Sequence, residues 1–306
     1  MTACAEASAA LGEPLVGTAP EAPAWVVLEQ PGPWGRKAMT ESHLDPVLGE
    51  ALEVAAAAHN ARVALVRRPG RHPDRPGPRA RRLWIASTRP GRSWLLGGWI
   101  GDITDLGGLS WSGIANGDVE SVNRSIPALR GETDPVLLIC TNGRRDVCCA
   151  IKGRRLIGAV RDRLPDRVWE TIHLGGHRFA PTAVLLPAGV TYGRLDPDRA
   201  VDVYRDGTAG RVVLDGYRGR STYSPPGQVA EAAVRSATWN RDVDALEVVS
   251  VHEHDGDWRA VVGHRDGRRW QVEVTERQPA PARPISCGAA PVNPIAYDAT
   301  PPVPVS

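Results

Sequence analysis

The chain has 306 residues, 42% of them apolar, which is enough to bury two compact cores and excludes wholesale disorder. Its 37 Lys+Arg against 35 Asp+Glu leave a formal charge of +2, so neither a nucleic-acid binder nor a polybasic membrane protein is indicated. Five Cys without regular spacing do not describe a secreted disulfide framework, no run approaches the roughly 18 apolar residues of a membrane span, and the first 25 residues hold no Lys or Arg. A soluble protein of the reducing cytoplasm is therefore expected, with no membrane partner.

In chain order, residues 1–22 are Ala-rich with scattered acids and read as a mobile N-terminus. An α/β unit is expected over 23–133: a buried strand at Trp25–Leu28 ends at Pro31-Gly32-Pro33, a helix fits Asp45–His59, and strands fit Arg62–Val66, Leu83–Ser87 and Trp94–Ile100. Between the first two of those strands, Arg67–Arg82 gathers seven Arg among Pro and Gly. No aromatic interleaves them, so a solvated hairpin loop is expected rather than a nucleic-acid patch. A second unit is expected over 134–222. It opens with the apolar run Val136–Ile139, continues with a helix over Val147–Leu164 stopped by Pro165 and a strand over Val168–His173, then a hairpin over Thr182–Leu195 and a short helix from Pro197. Strand, helix, strand, hairpin, helix is the order of a thioredoxin-like α/β layer. The first unit repeats that order loosely, as a diverged duplication would. A small α+β element is expected over 223–277, with a helix over Gln228–Thr238 and three strands joined by turns at Asp255-Gly256 and Asp266-Gly267. Residues 278–306 are a Pro-rich tail, read, like the N-terminus, as a mobile or loosely docked end.

The chemistry concentrates in Cys140–His177. Cys140 and Cys149 have eight residues between them, Cys148 adjoins Cys149, and His173 and His177 flank Leu174-Gly175-Gly176. Two thiolates and two imidazoles on loops at strand ends form a four-coordinate metal set. Taken singly, a buried Cys is an ordinary small hydrophobe and a lone His an ordinary hydrogen-bonded residue. Taken together they gain weight, because Gly143, Gly175 and Gly176 let backbone approach a bound centre. Arg144, Arg145 and Arg178 flank the set, as a positive rim for an acidic partner or as ordinary surface Arg.

The segments Cys140-Thr-Asn-Gly-Arg-Arg-Asp-Val-Cys-Cys149, Trp169-Glu-Thr-Ile-His-Leu-Gly-Gly-His-Arg-Phe-Ala180, Tyr192-Gly-Arg-Leu195 and Tyr217-Arg-Gly-Arg-Ser221, with Glu29-Gln-Pro-Gly-Pro-Trp-Gly35 upstream, resemble the sucrase/ferredoxin-like family. The resemblance implies a thioredoxin-like ferredoxin domain holding a 2Fe-2S cluster through two Cys and two His. Carried over, the ligands are Cys140, His173, His177 and, registered through Arg145-Asp146, Cys149 rather than Cys148. Imidazole in place of thiolate makes the cluster less negative and easier to reduce. One-electron transfer to an unidentified redox protein is then the expected function, as a carrier rather than a catalyst. The sucrase label finds no support, since no pair of carboxylates stands out for glycoside hydrolysis.

A structural or regulatory Zn module on the same four ligands is the alternative. A thiol-disulfide oxidoreductase is disfavoured because no Cys-x-x-Cys occurs and a vicinal Cys148-Cys149 disulfide is strained. Cys4 and Cys287, in the two presumed mobile ends, are not expected to be ligands.

Overall fold

The computed structural model describes residues 3–70 and 80–305. Its elements in chain order are α1 (Cys4–Ala10), β1 (Ala24–Glu29), α2 (Pro46–Ala58), β2 (Ala61–Arg67), β3 (Arg81–Ser87), β4 (Trp94–Ile100), α3 (Trp111–Asn116), α4 (Val119–Ser125) and β5 (Arg130–Gly131). There follow β6 (Val136–Cys140), α5 (Arg154–Val160), β7 (Val168–Thr171), β8 (Ala183–Leu186), β9 (Val190–Tyr192), α6 (Pro197–Thr208), β10 (Tyr217–Arg220) and α7 (Pro225–Thr238). The last part of the chain forms β11 (Leu246–His254), β12 (Asp257–His264), β13 (Arg269–Arg277), β14 (Arg283–Pro284), β15 (Pro291–Val292), β16 (Ala296–Ala299) and β17 (Val303–Val305).

Ten strands make one mixed sheet in the order β10-β9-β8-β6-β7-β2-β1-β3-β4-β5. Each half has the same plan. β1 and β2 are parallel across the α2 crossover, and β3 and β4 add antiparallel on the β1 side; β6 and β7 are parallel across α5, and β8 and β9 add on the β6 side. The thioredoxin-like strand order expected for 134–222 is thus present twice. The halves meet where β2 and β7 pair antiparallel, through Val66 opposite Thr171 and Arg67 opposite Glu170. The expected boundary at 133/134 therefore falls in a loop inside one sheet.

Strand alternation builds the core. Val26 and Leu28 face a cluster with Leu52, Leu65 and Ile85, while Trp25 and Val27 face a second cluster that continues through Leu138, Cys140, Cys149 and Trp169 into the other half. Because the central strands are covered on both faces, they read as continuous apolar runs. The α2 crossover starts where Asp45 accepts from the Val47 and Leu48 amides, with Pro46 in the first turn. In the C-terminal layer α7 packs on β11–β13 through Val229, Val234, Leu246, Val262 and Val272. Asp255 and Gly256 both take positive φ (53° and 86°), as a two-residue hairpin turn requires.

Several expectations are corrected. Residues 1–22, expected to be mobile, contribute α1 with Cys4, Ala5 and Ser8 buried, and Gly17 and Ala22 donate backbone hydrogen bonds to the Arg218 and Ser221 carbonyls. The tail 278–306, expected to be mobile or loosely docked, supplies β16 and β17, which pair with the two ends of β13. The 147–164 helix is a π-helical turn over Cys149–Gly153 followed by the short α5. Of the Arg-rich loop expected over Arg67–Arg82, residues 71–79 lie outside the described residues. At its ends Arg67 is buried and pairs with Glu170, and half-buried Arg81 bonds Gln30 at 2.7 Å, whereas Arg68, Gly70 and Ala80 are exposed.

Candidate metal centre

The candidate ligands stand at the carboxyl ends of the parallel pair β6 and β7, the usual place for a site in an α/β layer. Cys140 ends β6. The chain turns back through Asn142, whose Oδ1 accepts from the Arg144 and Arg145 amides, and reaches Cys149 at the start of the π-helical turn. That turn comes close because Gly153 lies against the Cys140 carbonyl and Gly143 against Ala150, where a Cβ would collide in each case. A π-turn of this kind is common beside functional sites.

Beyond β7, Gly175 and Gly176 take φ of 86° and 68°, a left-handed pair that folds the chain back on itself. His173 and His177 are thereby brought together, their ring centroids 4.9 Å apart and their planes tilted by 35°. A side chain at 176 would run into the Arg218 guanidinium.

Cys140, Cys149 and His173 each offer a donor atom, and the three atoms lie within 4.8 Å of one another. His177 stands beside this group; its Nε2 is 3.8 Å from Asp146 Oδ2. The structure thus brings all four expected residues to one place, with three in ligand range of each other and the fourth in contact with the third. Nδ1 of both His173 and His177 is buried without a hydrogen-bond partner among the described residues. Hydrogen bonds from Cys149 and then His173 hold Cys140 well below a thiol's ordinary pKa despite its burial, while Cys149, the proton donor to Cys140, is pushed up. Burial lowers His177, with Asp146 opposing it.

The surrounding arginines divide by role. Arg62 donates to the His173 carbonyl at 2.5 Å, and Arg218 to the Gly175 carbonyl at 3.2 Å, so two carbonyls of the His loop are held by arginines. Arg218 also binds Thr18 and is fully buried, which lowers its pKa to about 9. Arg220 is equally buried, on the Ala188 and Val243 carbonyls and Asp244. The Tyr217–Arg220 motif is therefore a buttress, not an exposed rim. Arg178 pairs with Glu13 at 2.7 Å, Arg145 is half-buried and Arg144 is exposed. A cleft of about 570 Å³ opens beside His173, with Arg36, Lys37, Arg62 and Arg145 on its walls against Glu53.

Sequence reasoning missed Asp146 as a functional group and treated it only as a register mark. Its carboxylate is fully buried and accepts from the Cys148 and Cys287 amides, each at 2.8 Å, and from Ser286 Oγ at 3.1 Å. An Asp in a loop ahead of a helix is the usual signal of a side chain that accepts from the backbone two residues on.

A family model described as Sucrase/ferredoxin-like matches residues 15–219, which include all four candidate ligands. No curated protein and no solved structure matches the chain.

Proposed function

Because this chain belongs to the sucrase/ferredoxin-like family, we propose that it is a one-electron carrier holding a 2Fe-2S cluster on Cys140, Cys149, His173 and His177. One observation carries the reading: two buried imidazole Nδ1 atoms without partners among the described residues stand beside two buried thiols, with donor atoms of Cys140, Cys149 and His173 within 4.8 Å of one another. A buried polar atom left unsatisfied costs about 1–3 kcal/mol, so the donor set fits a metal centre better than a plain core. When bound, such a cluster supplies a single electron at a potential raised by imidazole ligation.

The chain's own residues do the rest. Arg62 and Arg218 fix the His loop through its carbonyls, Gly153 lets Cys149 approach Cys140, and apolar Trp169, Leu174 and Leu138 exclude water from the thiol side. The cationic walls of the cleft beside His173 suit an acidic redox protein, steered there by charge. Cytoplasmic residence fits five free cysteines. Among the described residues no helix is long and apolar enough to cross a membrane.

A zinc module on the same four residues is the second reading, favoured by the tetrahedral suitability of a Cys2His2 set. Metal and sulfide analysis of anaerobically purified protein from iron-replete cells separates the two. The expected result is iron and acid-labile sulfide in near-equal amounts, with a rhombic one-electron signal after dithionite. Zinc without sulfide, lost on Cys140→Ser, overturns the cluster reading.

A further inference from the structure

Outside the four candidate ligands, three more thiols converge. Cys148 Sγ is 3.3 Å from Cys287 Sγ and 3.6 Å from Cys4 Sγ, and Cys287 Sγ is 3.5 Å from Cys4 Sγ. Both Asp146 carboxylate oxygens are 3.8 Å from Cys4 Sγ, and one donor atom from each of the four residues falls within 4.8 Å of the others. We propose that Cys4, Cys148, Cys287 and Asp146 form a second metal site, for a soft divalent cation of the zinc class, which fastens both ends of the chain to the second half of the sheet.

Three alternatives explain the cluster less well. A disulfide needs sulfurs about 2.05 Å apart, and three thiols cannot pair off. Apolar packing accounts for Ala5 and Ala180 beside the sulfurs, but not for a fully buried carboxylate among them. A hydrogen-bonded thiol triad leaves weak donors to hold segments as far apart as residues 4 and 287.

A tetrahedral cation accounts for all of it. Zinc–sulfur bonds of about 2.3 Å place sulfurs about 3.8 Å apart at the corners of a tetrahedron, slightly wider than the separations here. The carboxylate is prepared for the fourth corner. Its Oδ2 already accepts from Cys287 N and Ser286 Oγ, whereas Oδ1 accepts from Cys148 N and otherwise only from the weak Cys4 Sγ donor at 3.8 Å, a contact that a cation bound by the Cys4 thiolate would replace. Two of its three amide and hydroxyl donors belong to the ligand cysteines themselves, the kind of outer contact that orients metal ligands.

The site is separate from the first yet adjoins it. Cys148 and Cys149 are consecutive and serve different groups, and Asp146 Oδ2 also lies 3.8 Å from His177 Nε2. Cys4 and Cys287 both lie outside the residues matched by the family model.

The test is zinc, iron and sulfide quantification on the full chain purified anaerobically from cells given both metals. About one zinc per chain is expected, in addition to any iron, and zinc K-edge absorption should show about three sulfurs at about 2.3 Å and one oxygen at about 2.0 Å. Cys4→Ser and Cys287→Ser should each remove zinc at least tenfold while leaving iron and sulfide unchanged; Cys140→Ser should do the reverse. If the cluster reading fails, iron is absent but zinc stays, and the present inference stands. The inference is overturned by wild-type protein without zinc, by zinc lost with Cys140→Ser and kept with Cys4→Ser, or by a disulfide between any two of these three cysteines in anaerobically alkylated protein. The absorption measurement on wild-type protein decides the matter even if a variant does not fold.

Discussion

Adjacent side chains point to different sides of any regular backbone, and Cys148 and Cys149 put that rule to use. Cys149 joins Cys140 in the core cluster spanning the two halves, while Cys148 joins Cys4 and Ala5 under α1. Cys149→Ser is therefore expected to lose the visible chromophore or shift it, because an alkoxide is a harder ligand than a thiolate; Cys148→Ser should keep it. Absorption spectra of the two variants side by side check this, and the opposite pattern reverses the assignment. Glu13 carries a second prediction. Against the upward push of burial, Arg283 and then Arg178 hold its carboxyl below the ordinary 4.5. A depressed carboxyl contributes stability that is complete above the unfolded value and is lost as pH falls through the lower folded one. Thermal unfolding and proteolysis of the first 22 residues should thus worsen below about pH 4.5, and Glu13→Gln should remove that pH dependence at a cost of about 3 kcal/mol, since it breaks a buried pair. That Cys140, the Cys148-Cys149 pair, His173 and His177 come together was legible, because they lie close in sequence; which of the two adjacent Cys faces Cys140 was carried by the resemblance. Cys4, Asp146 and Cys287 were not legible, because only tertiary folding brings residues 142 and 283 positions apart into contact.

The His loop shows how an element positions a site. Gly175 and Gly176 share the left-handed conformation, but a Cβ at 175 meets open space whereas one at 176 meets Arg218 and Phe179. Gly175→Ala should cost only the backbone strain of about 1–2 kcal/mol and retain metal; Gly176→Ala should also displace Arg218 and lower the metal content several-fold. Metal analysis together with melting curves separates strain from displacement, and equal retention by both variants would exclude Arg218 as the support of this loop. Strands such as β1, β2 and β6 were legible because apolar runs bounded by Pro and Gly leave little choice. β10 was not read as a strand, because Tyr-Arg-Gly-Arg has no apolar pattern and buries its arginines on carbonyls from distant segments. The helix expected over Val147–Leu164 is helical as far as Val160, but it is wound as a π-turn over Cys149–Gly153, where Gly153 packs against the Cys140 carbonyl.

At the scale of the molecule, two halves of like topology are joined by one short seam. There Glu170 Oε2 accepts from Arg67 Nε at 2.9 Å, Arg67 Nη2 at 2.7 Å and Thr141 Oγ1 at 2.8 Å, while Arg67 lies over the Trp34 ring. Glu170→Ala leaves a buried guanidinium uncompensated and should cost about 3–5 kcal/mol. Because the seam continues one sheet and one core cluster, Trp fluorescence and far-UV dichroism should give coincident unfolding transitions for wild-type protein; two separated transitions would show that the halves are independent. The seam was not legible because edge pairing between two self-complete patterns leaves no local mark; only the alternation within each strand does. The convergence of Cys4, Cys148 and Cys287 bears on how the chain is made. Synthesis proceeds from the N-terminus, and domains generally fold as they emerge from the ribosome. A pocket that needs residue 287 cannot close until synthesis has passed that residue, and a chain stopped before it lacks both the Cys287 thiol and the Arg283 guanidinium that pairs with Glu13.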